Sequence, residues 1–252
     1  MSSDVRLQKE KEFHDQLVEG DGKARKKTCK YYSIQDNARD RYKALILQYC
    51  RGKKLLEYGC GPGSGIQEWA KNGAIVTGID ISPESIDHAK KESERGGYTA
   101  QYHVMNAEKT TFDDSQFDMI VGTSIIHHLE LLSCYQELQR LLTKDGRAVF
   151  LEPLGHNPLI NLYRSLTPTM RTDDEHPLTR RDLKQLHQYF NRVEVNYFAL
   201  LALLAVPFRR FFFFKPLCRL LQFIDQILFK LPLFKHYAWI AVICVGEPKE
   251  YT

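Results

Sequence analysis

LLEYGCGPGSG, running from Leu55 to Gly65, is the stretch that decides the fold. An apolar run of the kind that forms a buried strand enters four closely spaced glycines, and SGIQEWAKNG continues as a helix ended by Gly73. Glycines at such a junction let the backbone turn sharply beneath a ligand, with the following helix N-terminus facing it. A dinucleotide fingerprint needs G-x-G-x-x-G. Counted from Gly59 its last position is Ser64, and counted from Gly61 it is Ile66, so that class is excluded on spacing. A phosphate-binding loop ending in Gly-Lys-Ser/Thr is absent as well. What stands is E-x-G-x-G-x-G, made of Glu57, Gly59, Gly61 and Gly63.

Outward from this loop the chain alternates. KKLLEYG, AIVTGIDIS, YTAQYHVMNA, FDMIVGTS and DGRAVFLEP read as strands. Between them lie helical stretches such as PESIDHAKKESERGG, with Pro83 in its first turn and Gly96 at its end, and LELLSCYQELQRLL. Strands separated by helices of this length predict right-handed βαβ units around a parallel sheet. After Pro153 the rhythm changes: a polar connection precedes RRDLKQLHQYF, a helix capped by Thr179. RVEVNYFAL and YAWIAVICV are β-branched and aromatic and complete the sheet. The expected architecture is α/β, a doubly wound, mostly parallel seven-stranded sheet in one domain spanning 1–252. Residues 1–50 form a helical cap, 51–155 the cofactor-binding core, and 156–252 an acceptor-side region with a helical insertion at about 199–236, before the last strand.

The motif E-x-G-x-G-x-G resembles the first motif of class I S-adenosylmethionine-dependent methyltransferases, and further likenesses follow in order. GIDIS ends the second strand with Asp80, Asn106-Ala107-Glu108 follows the third, FDMIVGTSIIHHL resembles the fourth motif and LLTKDGRAVFLEP the segment after it. The resemblance covers residues 10–155 and is closest to the ubiquinone/menaquinone-biosynthesis-like small-molecule branch. It implies a Rossmann-like fold and S-adenosyl-L-methionine as cofactor, leaving as S-adenosyl-L-homocysteine. It also implies cofactor contacts from Glu57, Gly59, Gly61, Gly63, Asp80, Ile81, Asn106, Ala107, Glu108 and Thr123, with Tyr31 or Tyr32 covering the methionine end. Asp80 would take the ribose hydroxyls, a task that suits a carboxylate because it accepts two hydrogen bonds from neighbouring donors. Asn106 stands where many members carry Asp, yet its amide oxygen can accept the same bond from the adenine amino group.

In an open α/β sheet the ligands meet beyond the carboxyl ends of the strands. That places the acceptor near Ser124, Ile126 and His127. A neutral imidazole can take a proton from a hydroxyl near neutral pH, so His127 is the first candidate base and His128 the outward neighbour. Against this stands transfer by alignment alone, with both histidines as packing residues. His14, in a segment similar to the closing N-terminal helix of related enzymes, and His156, after the fifth strand, rank next, ahead of His176. Arg164, Arg171, Arg180 and Arg181 could grip an acidic acceptor or simply face water. No His, Asp and Glu spacing matches a divalent-metal site, so a metal-independent reaction is expected.

Composition bounds the partners. Of 252 residues, 35 are Lys or Arg and 31 are Asp or Glu, a net charge of +4, which points to no nucleic-acid partner. Six scattered cysteines with no C-x-x-C pair fit reduced thiols, and MSSDVRLQKEKEF lacks the apolar core of a secretory signal. A cytoplasmic location is expected, with or without peripheral membrane contact. Between 199 and 236 lie Lys or Arg at 209, 210, 215, 219, 230 and 235, against the single acid Asp225. Four uses fit that pattern: an extended core, a lid over a lipophilic acceptor, contact with an anionic membrane, or a homodimer interface. The expected function is methyl transfer to a small lipophilic acceptor, first at oxygen. Carbon methylation of a quinol or phenol ring is the alternative within catalysis, and a catalytically silent cofactor-binding scaffold at a membrane the alternative outside it.

Overall fold

Seven strands form one sheet in the order β3-β2-β1-β4-β5-β7-β6. This computed structural model describes residues 5–8, 11, 12, 15, 33–63, 65–167 and 176–250. Five strands run parallel: β1 (Lys54–Tyr58), β2 (Ile75–Asp80), β3 (Gln101–Val104), β4 (Phe117–Thr123) and β5 (Leu142–Pro153). β7 (Ile240–Pro248) enters antiparallel between β5 and β6 (Phe190–Phe198).

The central strands are apolar on both sides because both faces are covered. One face packs against α1 (Asp36–Leu47), α2 (Ile66–Lys71) and α3 (Pro83–Gly96), through buried residues such as Ile46, Trp69 and Ile86. The other packs against α4 (Leu131–Leu141) and α6 (Arg180–Tyr189), through Leu138, Leu183 and Leu186. Helix starts follow local chemistry. The Ser82 hydroxyl accepts from the Ser85 N–H at the head of α3, and Thr179 forms a reciprocal capping box with Asp182 at the head of α6. α3 ends on Gly97, whose left-handed φ of 63° suits a residue without a Cβ.

β5 begins at Leu142, three residues before the stretch DGRAVFLEP expected to form it. Phe117 pairs with Leu142 and Met119 with Arg147, so the extra residues of β5 bulge there. The bulge is tight, since a Cβ on Gly146 would meet the Thr143 carbonyl oxygen at 2.8 Å.

The inserted segment between β6 and β7 is helical, as expected. It holds a 3-10 helix (Leu201–Phe208), α7 (Phe214–Leu228) and the short α8 (Pro232–Lys235). Buried Asp225 on α7 accepts the N–H groups of Leu200, Leu201 and Ala202 at 3.0, 2.7 and 3.2 Å, tying α7 to the head of the 3-10 helix. Burial pushes the Asp225 carboxyl up, and these three bonds oppose the rise. α5 (Pro158–Leu166) starts on buried Asn157, whose amide also donates to the Tyr237 carbonyl at 2.7 Å.

Candidate active site

From β1 the chain builds outward to β2 and β3 on one side and to β4 and β5 on the other. The crevice between the ends of β1 and β4 is therefore the switch point where ligands bind in such sheets. The glycine loop follows β1. Gly59, Gly61 and Gly63 all have positive φ, at 60°, 50° and 85°. Two of them permit close packing: a Cβ on Gly59 would meet Ile125 Cδ1 at 2.7 Å, and one on Gly63 would meet the Ala89 Cβ at 3.1 Å. Nothing lies within 4 Å of a Cβ built on Gly61, so that glycine borders open space.

Asp80 faces the same loop from the end of β2. It accepts the Gly61 N–H at 2.8 Å on one oxygen and the Ser82 N–H at 2.9 Å on the other. A carboxylate has about four acceptor positions, so two remain for ligand hydroxyls. The open cradle at Gly61 and this half-used carboxylate together fit a nucleoside-bearing cofactor. Ile81 follows on the turn, half-buried.

Beneath the loop lies a set of buried polar atoms without hydrogen-bond partners: Glu57 Oε2, the Trp69 indole nitrogen and the Tyr42 hydroxyl. Tyr42 and Trp69 meet edge to face with ring centroids 6.1 Å apart. Burial lifts the Glu57 carboxyl from 4.5 to about 8, opposed by the neighbouring Trp69 indole. Burial, reinforced by the charge of Glu57, likewise raises the Tyr42 hydroxyl. Such groups cost free energy unless something satisfies them, and they cluster where ligands bind. Neither Tyr42 nor Trp69 stands out in the sequence, because each reads as the apolar stripe of an ordinary helix.

At the end of β3, Asn106 accepts the Glu108 N–H at 2.9 Å, and Ala107 is buried. The Glu108 carboxylate is engaged within the protein. It pairs with Arg6 and accepts the Glu130 N–H at 2.7 Å, while Arg6 also donates to the His128 carbonyl at 2.8 Å. The helical turn at residues 5–8 is thus fastened across the β3 and β4 ends, where a cap is expected. Glu137 braces the next turn by accepting the Thr110 N–H and hydroxyl at 2.7 and 2.6 Å.

After β4, exposed Thr123 leads into Ser124, whose φ of 55° lies in the left-handed region. A non-glycine residue held there stores about 1–2 kcal/mol of strain. The turn aims the Ile125 and Ile126 N–H groups at one oxygen of Glu152, each at 2.9 Å. Glu152 is fully buried on β5, and its other oxygen lies 2.8 Å from His127 Nδ1. With Nδ1 donating to the carboxylate, Nε2 keeps the lone pair that a base needs. The tautomer follows from the hydrogen bonding. Glu152 is absent from the sequence-level candidates; the signal was a carboxylate closing the apolar run AVFLEP.

His127 and His128 lie with ring centroids 4.1 Å apart, and the His176 N–H donates to the His127 carbonyl at 2.8 Å. The His176 ring turns to Asp182, at 3.1 Å. His156 stacks on His236 at 4.2 Å, and its Nε2 accepts the Arg180 N–H at 3.4 Å. Burial, then the neighbouring His236 and Arg180, lower its basicity. Arg164 turns to the Leu154 carbonyl and Asn161, while Arg180 and Arg181 are exposed. His14, Tyr31, Tyr32, Ser64 and Arg171 lie outside the described residues. Among the described residues no group of three His, Cys, Asp or Glu could hold a metal ion.

The fold and this site define an α/β protein whose glycine loop and strand-end acid fit a nucleoside-bearing cofactor. Residues 56–150 match the family profile described as "Methyltransferase domain". Two curated relatives are ubiquinone biosynthesis O-methyltransferases. That of Actinobacillus pleuropneumoniae serotype 7 is 37% identical over 105 residues, covering 39% of this chain and 45% of the relative. That of Coxiella burnetii is 33% identical over 113 residues, covering 45% and 48%. The chain therefore matches about half the length of these relatives. Among solved structures, Haemonchus contortus phosphoethanolamine N-methyltransferase 2 with S-adenosyl-L-methionine shares the fold, with a TM-score of 0.64 at 15% identity over 94% of this chain and 60% of that one. A Methanosarcina mazei S-adenosylmethionine-dependent methyltransferase gives 0.56 at 22% identity over 82% and 98%. Residues 56–150 are thus similar to a methyltransferase domain, within a fold shared with solved S-adenosylmethionine-dependent methyltransferases.

Proposed function

We propose that the protein transfers a methyl group from S-adenosylmethionine to a hydroxyl oxygen of a small lipophilic acceptor. The observation that carries this reading is the His127–Glu152 pair, set at the end of β4 beside the glycine loop. Asp80, the Gly61 cradle and Asn106 would hold the cofactor, which when bound supplies an electrophilic methyl carbon and departs as S-adenosylhomocysteine. Glu152 fixes the imidazole through Nδ1 and stabilises its positive charge once it is protonated. Nε2 takes the hydroxyl proton as the oxygen–carbon bond forms, so the product oxygen is left neutral. Ubiquinone-type relatives support oxygen as the receiving atom and a lipophilic ring as its carrier.

Turnover of labelled cofactor with alkylated phenols and catechols tests the assignment. His127→Ala should lower turnover about 10²–10⁴-fold and leave cofactor affinity nearly intact. A loss smaller than tenfold would remove the base and leave alignment as the sole source of rate.

A further inference from the structure

The segment between β6 and β7 presents a surface that methyl transfer does not use. On α7, Leu220, Phe223 and Ile227 are exposed at i, i+3 and i+7, one stripe of the helix, while Cys218 and Asp225 are buried against the protein. The turn before α7 adds exposed Phe211 and Phe212, with Phe212 96% accessible. Large apolar side chains gathered this way on a soluble surface mark a contact with something apolar.

Charge identifies the occupant. Arg209, Arg210, Lys215, Arg219 and Lys230 are exposed and Lys235 half-buried, and none is ion-paired among the described residues. The one acid of the segment, Asp225, is buried beneath the 3-10 helix and adds no negative charge to the surface. A second copy of the chain would bring two such cationic faces together. An anionic bilayer satisfies both features, taking the aromatics into its headgroup boundary and the cations against its phosphates.

We propose that residues 204–231 dock the protein on an anionic phospholipid bilayer. The topology gives the contact a purpose. β6 ends at Phe198 and β7 starts at Ile240, and Ile240 pairs with both Phe198 and Pro153, so the insertion leaves the sheet at the carboxyl end of β5. That is the end carrying Glu152 and His127. Docking brings the mouth of the site to the bilayer and lets an acceptor dissolved there reach it; this last step rests on the methyl-transfer reading.

Sedimentation with phosphatidylcholine vesicles, with and without one third phosphatidylglycerol, tests the surface. Binding should be at least about tenfold tighter to the anionic vesicles and should weaken in about 0.5 M salt, where screening shortens to a few ångströms. Phe212→Ser with Phe223→Ser, and separately Arg209→Glu with Arg210→Glu, should each weaken it about tenfold or more. Calorimetric affinity for S-adenosylmethionine should be unchanged in both variants, which establishes that they are folded. The proposal is overturned by no vesicle binding, by equal binding to neutral vesicles, or by variants that bind like the parent. It is also overturned by a dimer in ultracentrifugation that the same substitutions dissolve. Vesicle binding without methyl transfer would sink the proposed function and leave docking standing; transfer without vesicle binding would do the reverse.

Discussion

Replacing Glu152 with Gln separates a positioning carboxylate from a merely packed one. The amide oxygen can still accept the Ile125 and Ile126 N–H groups, now made at 2.9 Å, so the strained turn after β4 keeps its anchor. The amide NH2 then faces His127 Nδ1, where a carboxylate oxygen stood at 2.8 Å. Two donors cannot face each other, so the imidazole proton must move to Nε2 and the lone pair that accepts the acceptor proton disappears. Losing a general base costs about 10²–10⁴ in turnover, roughly 2.7–5.4 kcal/mol at 1.36 per decade. Stability should fall by only about 1–2 kcal/mol, the difference between a charged and a neutral hydrogen bond. Steady-state kinetics should show the loss in kcat with little change in KM for the cofactor, and thermal melts should stay cooperative. A folded Glu152→Gln variant turning over within tenfold of the parent would refute the pairing argument.

Asp80→Ala should weaken S-adenosylmethionine binding by about 1.5–3 kcal/mol in calorimetry, and unchanged affinity in a folded variant would remove Asp80 from the site. Glu57 predicts a pH effect whose sign follows from its raised carboxyl, from 4.5 to about 8. Below 4.5 both folded and unfolded chains hold the proton; between 4.5 and about 8 only the folded chain does, so stability falls by up to about 1.4 kcal/mol per pH unit. Melts of Glu57→Gln without cofactor should therefore gain on the parent as pH rises through that window, and a constant difference would contradict the burial argument. Asp225→Ala leaves three backbone N–H groups without their acceptor and should cost about 1–3 kcal/mol, with hydrogen exchange at Leu200 to Ala202 accelerated first.

The glycine spacing, Asp80 at a strand end, Pro83 in the first turn of α3 and the cap at Thr179 are all legible in the sequence because each is a local signal. Glu152 is not. Its partner His127 is 25 residues away, and only the adjacency of β4 and β5 joins them. Asp225 reads in the sequence only as the single acid among six basic residues, yet it is the buried acceptor that joins α7 to the 3-10 helix. Phe214 packs on the core, whereas Phe208, Phe211 and Phe212 of the same short span stand exposed. Periodicity assigns faces to a helix but does not say which faces the fold leaves without a neighbour.

The most direct test of the central claim is to incubate the protein with isotopically labelled S-adenosylmethionine and a lipid-soluble extract, then locate the label. The His127–Glu152 site predicts an O-methylated, lipid-soluble product formed together with S-adenosylhomocysteine, and loss of both in His127→Ala. Tight cofactor binding with no labelled product in any fraction would contradict it and leave a protein that binds the cofactor without using it.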